Sequence, residues 1–325
     1  MTPHLLIAPD AFKGTLSAGE VAEAIARGVR DGGLQAETCP VADGGEGTID
    51  ALRATLDLEP RESACHDPLG RPIVARWAWL AERRTALVEM CSASGLSLVA
   101  PDQRDAERAS SAGTGELLLA AREAGAVETV LAIGGTATSD GGHGALQAIE
   151  RGGGLGEMRL TLACDVRIPF EAAAAVFGPQ KGASPATVER LTARLHALAT
   201  KLPRDPRGLP MTGAGGGIAG ALWAVHGAAL QGGAAFVLDA LDFDRRLRGA
   251  DAVVVGEGCL DGQTTHGKIL GEIAARAGRK PVHAIVGSLA EQPRWEQLAS
   301  IRLAGTAAEL ERAGSELATS LMATL

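Results

Sequence analysis

The sequence is poor in aromatic residues, which make up 3% of its 325 positions, and it has no tyrosine. Its core must be built from Ala, Leu, Val and Ile, and stacking of bases on aromatic side chains is disfavoured as an activity. An excess of positive charge is also missing. Lys and Arg number 31 against 39 acidic residues, a net charge of -8, which speaks against a broad nucleic-acid surface. Cysteine is sparse: Cys39, Cys65, Cys91, Cys164 and Cys259 are odd in number and never spaced as C-x-x-C. That pattern argues against a disulfide framework or a zinc site and fits a reducing cytosol, so a cytoplasmic location is expected. No basic, apolar leader opens the chain, so no signal peptide is expected. The long charge-free stretch 208–238 is interrupted by glycines, and its continuous apolar part falls short of the ~20 residues of a membrane helix. It reads as a Gly-rich loop followed by a buried helix. The patterns G-x-S-x-G and H-E-x-x-H are absent, and no histidines pair at ligand spacing.

What is present is an ordinary globular composition, 46% hydrophobic and 22% charged, with 43 glycines. A single core stops growing near ~250–300 residues, so the length predicts two domains. Along the chain a short apolar strand, a Gly-rich loop and a helix recur. Leu5–Ala8, a strand ending at Val41–Ala42, Ala252–Val255, Val282–Val286 and Ile301–Leu303 give five strand candidates in the two chain ends. Together they suit a doubly wound parallel sheet. Ser17 with Glu20 forms a capping box ahead of the stripe Val21, Ile25, Val29. From about Arg61 to Val88 the texture changes to a hairpin, with a strand over 73–80. Further strands over 129–133 and 160–164 and a helix opened by Ser184–Pro185 follow. The boundaries drawn are therefore 1–60 with 250–325 for one α/β domain, and 61–249 for an inserted second α/β domain.

Several strands end in an acid beside glycines. Asp43 precedes Gly44-Gly45-Glu46-Gly47-Thr48, and Gly134-Gly135-Thr136-Ala137-Thr138 follows the strand at 129–133. Asp165 ends the strand at 160–164, and Glu257 lies in Gly256-Glu257-Gly258, with Asp261 close behind. Ligands of open α/β sheets bind at strand C-terminal ends. There, glycines let backbone amides reach an oxyanion, and carboxylates hold a metal or accept a hydroxyl proton. One such loop is more simply a turn or a cap; four favour a site for an anion and a metal. Gly262 to Lys268 fits G-x-x-x-x-G-K, but Ile269 stands where a magnesium-binding hydroxyl belongs, so a standard P-loop is rejected. Gly215, Gly217 and Gly220 fit G-x-G-x-x-G with no strand before them, which removes a dinucleotide fingerprint. Lysine is scarce, and Lys13, Lys181 and Lys268 all lie in Gly-rich settings, as does Arg71.

These residues resemble a known family. Ala8-Pro9-Asp10-Ala11-Phe12-Lys13-Gly14-Thr15, Ala42-Asp43-Gly44-Gly45-Glu46-Gly47-Thr48 and Gly256-Glu257-Gly258-Cys259-Leu260-Asp261-Gly262-Gln263-Thr264 are similar to motifs of the bacterial type I, two-domain glycerate kinases. Gly113-Thr114-Gly115-Glu116-Leu117 and Phe177-Gly178-Pro179-Gln180-Lys181-Gly182 extend the likeness over nearly the whole chain. The resemblance implies a flavodoxin-like domain from both chain ends, an inserted domain, and a site between them. It also implies ATP-dependent phosphorylation of D-glycerate, at the 2-hydroxyl, with Mg2+. The family has a longer segment between Leu146 and Leu160, and the stretch after Ser288 is also short here.

On this reading Lys13, Asp43 and Asp261 are the catalytic candidates, and Arg71, Ser17 and Thr138 bind substrate. Gly134, Gly135, Lys181, Gly215, Gly216, Gln263, Thr264 and Lys268 receive the nucleotide, and Asp165 and Glu257 hold metal. The division of roles among the acids stays open, as does the choice of 2- or 3-phosphoglycerate. A homodimer is left open too, and no membrane or nucleic-acid partner is expected. The rival classes are a non-catalytic hydroxy-acid sensor on the same fold, which needs no metal-holding acids, and a dehydrogenase, which needs the missing fingerprint.

Overall fold

The structure, a computed structural model, describes residues 2–12, 14–53, 55–260, 269–290 and 298–323. The chain opens with β1 (His4–Pro9), α1 (Ala18–Asp31), β2 (Gln35–Thr38) and α2 (Thr48–Arg53). The middle runs through β3 (Glu59–His66), β4 (Pro72–Leu80), β5 (Thr85–Glu89), α3 (Cys91–Ser94) and α4 (Ala112–Glu123). It continues with β6 (Glu128–Ala132), α5 (His143–Arg151), β7 (Arg159–Ala163), α6 (Ala173–Phe177), α7 (Pro185–Ala199), α8 (Ile218–His226) and β8 (Ala229–Gln231). The last part holds α9 (Gly233–Ala240), α10 (Phe243–Gly249), β9 (Ala252–Leu260), α11 (Ile269–Ala277), β10 (Val282–Leu289), β11 (Leu298–Leu303) and α12 (Ala307–Met322). The chain divides into two compact units. The first is Met1–Asp43, Asp50–Leu56 and Ala234–Leu325; the second is Gly44–Ile49 and Asp57–Gly233.

The first unit carries a five-stranded sheet in the order β11-β10-β9-β1-β2, every pair parallel. Read from the other edge, this is the flavodoxin-like order, with the second unit's chain running between its second and third strands. Leu5–Ala8 and Val253–Val255 are buried apolar runs, as central parallel strands covered on both faces require. The register sets Leu5 opposite Ala252 and Ala8 opposite Val255. Glu20 lies three residues into α1, and its carboxylate returns to the Ser17 amide, completing the expected capping box. Helix α1 packs tightly on α12: a methyl group at Gly28 would stand 1.8 Å from the Glu311 carbonyl oxygen. Helix α10 is tied to β2 by Arg246, which donates to Glu37 and the Thr38 carbonyl. The 234–249 segment, which the sequence reading put in the inserted domain, therefore packs with the first unit.

Two strand limits differ from expectation. Strand β2 stops at Thr38 instead of Ala42; beyond it only the Cys39 and Val41 amides still reach the β1 carbonyls of Ile7 and Pro9. Strand β9 continues through Gly256-Glu257-Gly258 to Leu260, because β10 pairs with it as far as Leu289. Glu257 therefore projects from a strand and not from a loop behind one.

The second unit holds a six-stranded mixed sheet, β3-β4-β5-β6-β7-β8. The hairpin β3–β4 is antiparallel, β4 and β5 are antiparallel, and β5 to β8 are parallel. Its core gathers Trp77, Met90, Leu117, Leu131, Leu160, Leu162 and Ile218. Ser184 caps α7 with Pro185 behind it, and the Leu191 and Leu195 stripe packs on Phe170 in a smaller core. The short link from α5 to β7 is closed by Arg122, which donates to the Gly152 and Gly154 carbonyls, while Leu155 and Met158 enter the core.

Candidate active site

Strand order reverses at β1, between β2 on one side and β9 on the other, and the C-terminal ends there border a cavity of about 490 Å³. It is lined by Asp10, Asp43 and Glu257 together with Phe12, Thr15, Gly258, Cys259, Gly287 and Ser288, all of the first unit. Asp10 follows the last residue of β1, and one of its oxygens accepts the Ala11 amide at 2.6 Å. Asp43 stands at the end of the segment after β2, and Glu257 projects from β9. Ile269, in the first described turn of α11, also borders the cavity. At Gly287 a methyl group would approach the Gly258 carbonyl oxygen to 2.6 Å, so glycine keeps the β9–β10 rim closed on itself.

Three carboxylates on one cavity are hard oxygen donors, the type magnesium takes. Among the described residues, no three acid, His or Cys side chains stand close enough to hold an ion by themselves.

The second unit brings a different set together. Gly134 and Gly135 follow β6, and a methyl group at Gly134 would stand 2.7 Å from the Gly45 Cα, so the two Gly-rich loops touch there. Glu89 ends β5 and accepts the Ile49 amide at 2.8 Å, and the Asp165 carboxylate accepts the Gly233 amide at 2.7 Å. Gly215 and Gly216 have left-handed φ values of 62° and 73°. A side chain at Gly216 would collide with the Thr138 carbonyl oxygen at 2.0 Å, so only glycine allows that approach. The Thr138 hydroxyl donates to the Gly215 carbonyl. Lys181 is 2% exposed, and its ammonium donates to the Thr138 carbonyl at 2.5 Å and to the Thr136 hydroxyl at 3.2 Å. Burial pushes its pKa down to about 8, with the Asp140 charge opposing the shift.

Other expected site residues have partners of their own. Ser17 is the N-cap of α1, its hydroxyl engaged by Glu20. Arg71 donates to Asp67 at 2.5 Å, to the Leu98 carbonyl and to Gln103, tying its turn to the 98–103 segment. Lys13, Asp261, Gln263, Thr264 and Lys268 lie outside the described residues. The sequence reading passed over Asp10 and Glu89. Both are acids at a strand end, the signal it used elsewhere, but neither is followed by glycine.

Comparison with known proteins adds to this geometry. The glycerate kinase family profile matches residues 5–153 and 150–324, the two blocks meeting at the shortened stretch after α5. The glycerate 2-kinase of Escherichia coli (strain K12) is 38% identical over 326 residues, covering 88% of this chain and 86% of that protein. The glycerate kinase of Bacillus subtilis (strain 168) is 38% identical over 327 residues, covering 88% and 85%. A crystal structure from Salmonella typhimurium LT2, assigned as glycerate kinase 2, superposes with a TM-score of 0.82 at 35% identity, covering 100% of this chain and 99% of that one. The family's profile spans nearly the whole chain: the chain belongs to the glycerate kinase family, and the protein is a kinase.

Proposed function

We propose that the protein transfers the γ-phosphoryl group of ATP to the 2-hydroxyl of D-glycerate, giving 2-phosphoglycerate and ADP, with Mg2+, in the cytosol. The observation that carries the reading is the convergence of Asp10, Asp43 and Glu257 on one cavity at the switch point of the first sheet. The E. coli relative's name, glycerate 2-kinase, supports the 2-position. Five scattered cysteines, none spaced as C-x-x-C, suit a reducing compartment, and no helix among the described residues is long and apolar enough to cross a membrane.

In this reading the Asp43 carboxylate orients the attacking hydroxyl and accepts its proton as the oxygen bonds to the γ-phosphorus and the bond to ADP breaks. Asp261 is the alternative for that role. Glu257 and Asp10 supply oxygen ligands for magnesium, and Asp165 is the further candidate. Bound there, the metal would neutralise phosphate charge. Lys13 and backbone amides hold the glycerate carboxylate, and Gly134, Gly135 and Gly215 offer amides to the nucleotide. Phosphoryl transfer asks mainly for positioning and charge stabilisation, which carboxylates, amides and a cation provide.

The test is to mix protein, ATP, magnesium and D-glycerate and to measure ADP, with phosphorus NMR separating the 2- from the 3-phosphate. Formation of the 3-isomer alone overturns the regiochemistry. No ADP above the glycerate-free control overturns the activity and leaves the sensor.

A further inference from the structure

Lysines in Gly-rich loops are ordinarily read as phosphate ligands, but Lys181 is buried at 2% exposure, and its ammonium already donates to two atoms of one loop. We infer that Lys181 is a positioning residue: it holds the Thr136–Thr138 backbone, and through it the two Gly-rich loops of the second unit, in the conformation that receives ATP. This rests on the nucleotide reading of those loops.

The Thr138 carbonyl is where the two loops meet. Lys181 donates to it, Gly216 backs directly against it, the Thr138 hydroxyl reaches the Gly215 carbonyl, and the Gly141 amide donates to the Gly216 carbonyl at 3.0 Å. The neighbouring loop is tied on another side, where the Leu96 amide donates to the Gly135 carbonyl and the Ala137 amide to the Ser94 carbonyl. Farther along, Asp140 does with negative charge what Lys181 does with positive. Its carboxylate accepts the Ser111 amide and hydroxyl and the Gly142 and Gly144 amides. Carbonyls at one point and amides at the next are thus each drawn to a buried charge of opposite sign. Charge-assisted bonds are about twice as strong as neutral ones, so the pair fixes the path of a loop that its glycines alone would leave free. Exposed Gly135 lies at the near end of that loop, where an anion could reach its amide.

The experiment compares full-length wild type with Lys181→Met, which keeps the length and removes the donors. Steady-state kinetics is run in each substrate, ATP binding is measured by calorimetry, and circular dichroism checks the fold. The KM and Kd for ATP should rise about 10- to 100-fold, the cost of misplaced binding groups, while the KM for glycerate stays within about twofold. Lys181→Gln, shorter but still a donor, should recover part of the loss. A folded Lys181→Met with wild-type ATP affinity overturns the inference. Should that variant not fold, Lys181→Leu, which also lacks the donors, overturns it equally if its ATP affinity is wild-type. Gly134→Ala separates the two levels. If it weakens ATP and Lys181→Met does not, only the role of Lys181 fails; if neither does, the nucleotide reading fails as well.

Discussion

In the first unit Asp10, Asp43 and Glu257 line an open cavity, whereas in the second Asp140 is 8% exposed and its carboxylate gathers four backbone and hydroxyl donors. Lys181 repeats the second arrangement with the opposite sign. Both units place acids and glycines behind parallel strands. What separates them is what each carboxylate faces: a cavity in the first unit, backbone amides and a hydroxyl in the second. A carboxylate that borders a cavity is placed where a substrate or an ion can meet it. A buried charge must be saturated by hydrogen bonds, and in being saturated it dictates the backbone around it. On the proposed reading, charge serves the reaction in one unit and shapes a loop in the other.

The sharpest way to break this contrast is Asp43→Asn. If the cavity acid acts on the reacting hydroxyl, kcat falls by ~10²–10⁴ with little change in the thermal midpoint. A stable variant with wild-type kcat would move the chemistry away from this cavity. In the second unit the largest effect belongs to Gly216→Ala. It combines a left-handed φ with a collision against the Thr138 carbonyl, and should cost about 2–4 kcal/mol in urea unfolding, with weakened ATP binding. An unchanged unfolding midpoint would show that the loops can separate freely.

The third prediction sharpens the meaning of a buried charge. The folded-state pKa of Lys181, about 8, lies below the ordinary 10.5, so between those values the unfolded chain binds more protons. Its contribution to stability therefore rises with pH from about 8 to 10.5, by up to ~3 kcal/mol. The buried thiols work in the opposite direction. Burial pushes Cys39 and Cys65 up to about 11 and Cys164 to about 12, so stability is lost above pH 9 as the unfolded thiols ionise first. The wild-type minus Lys181→Met difference isolates the lysine, and a flat difference would mean its ammonium is not desolvated. A smaller effect lies on the acid side. Burial, helped by the Arg302 charge, pushes the pKa of His283 down from 6.5. Falling pH protonates the unfolded imidazole first, and stability drops below that value. His283→Phe should flatten this limb of the stability curve. The smallest perturbation is chemical labelling. Cys259, on the cavity, is the one exposed cysteine of the five, so a thiol reagent should count one fast group, slowed by saturating substrates.

Much of the first unit was legible in the chain because its signals are local or repetitive. The capping box at Ser17 and Glu20 is decided within four residues, and the apolar runs at Leu5–Ala8 and Val253–Val255 mark buried parallel strands wherever they occur. The limits of β2 and β9 were less legible, since a strand lasts as long as its neighbour offers partners, and the partner that ends β9, Leu289 opposite Leu260, lies 29 residues further on. The cavity acids were only partly legible. Asp43 and Glu257 carried the expected glycines, while Asp10, beside them in the structure, did not.

By itself the sequence determined the class of the fold, the acids and glycines available to the site, and, through its motifs, the family. These depend on residue type and short spacing. Only the tertiary structure decided which charges border a cavity and which are consumed by the backbone. Lys13, Lys181 and Lys268 read alike along the chain, and so do Asp43 and Asp165. The role of Lys181 follows from its burial against Thr136 and Thr138, more than forty residues away in sequence, and burial is a property of what packs around a side chain and not of the residues beside it.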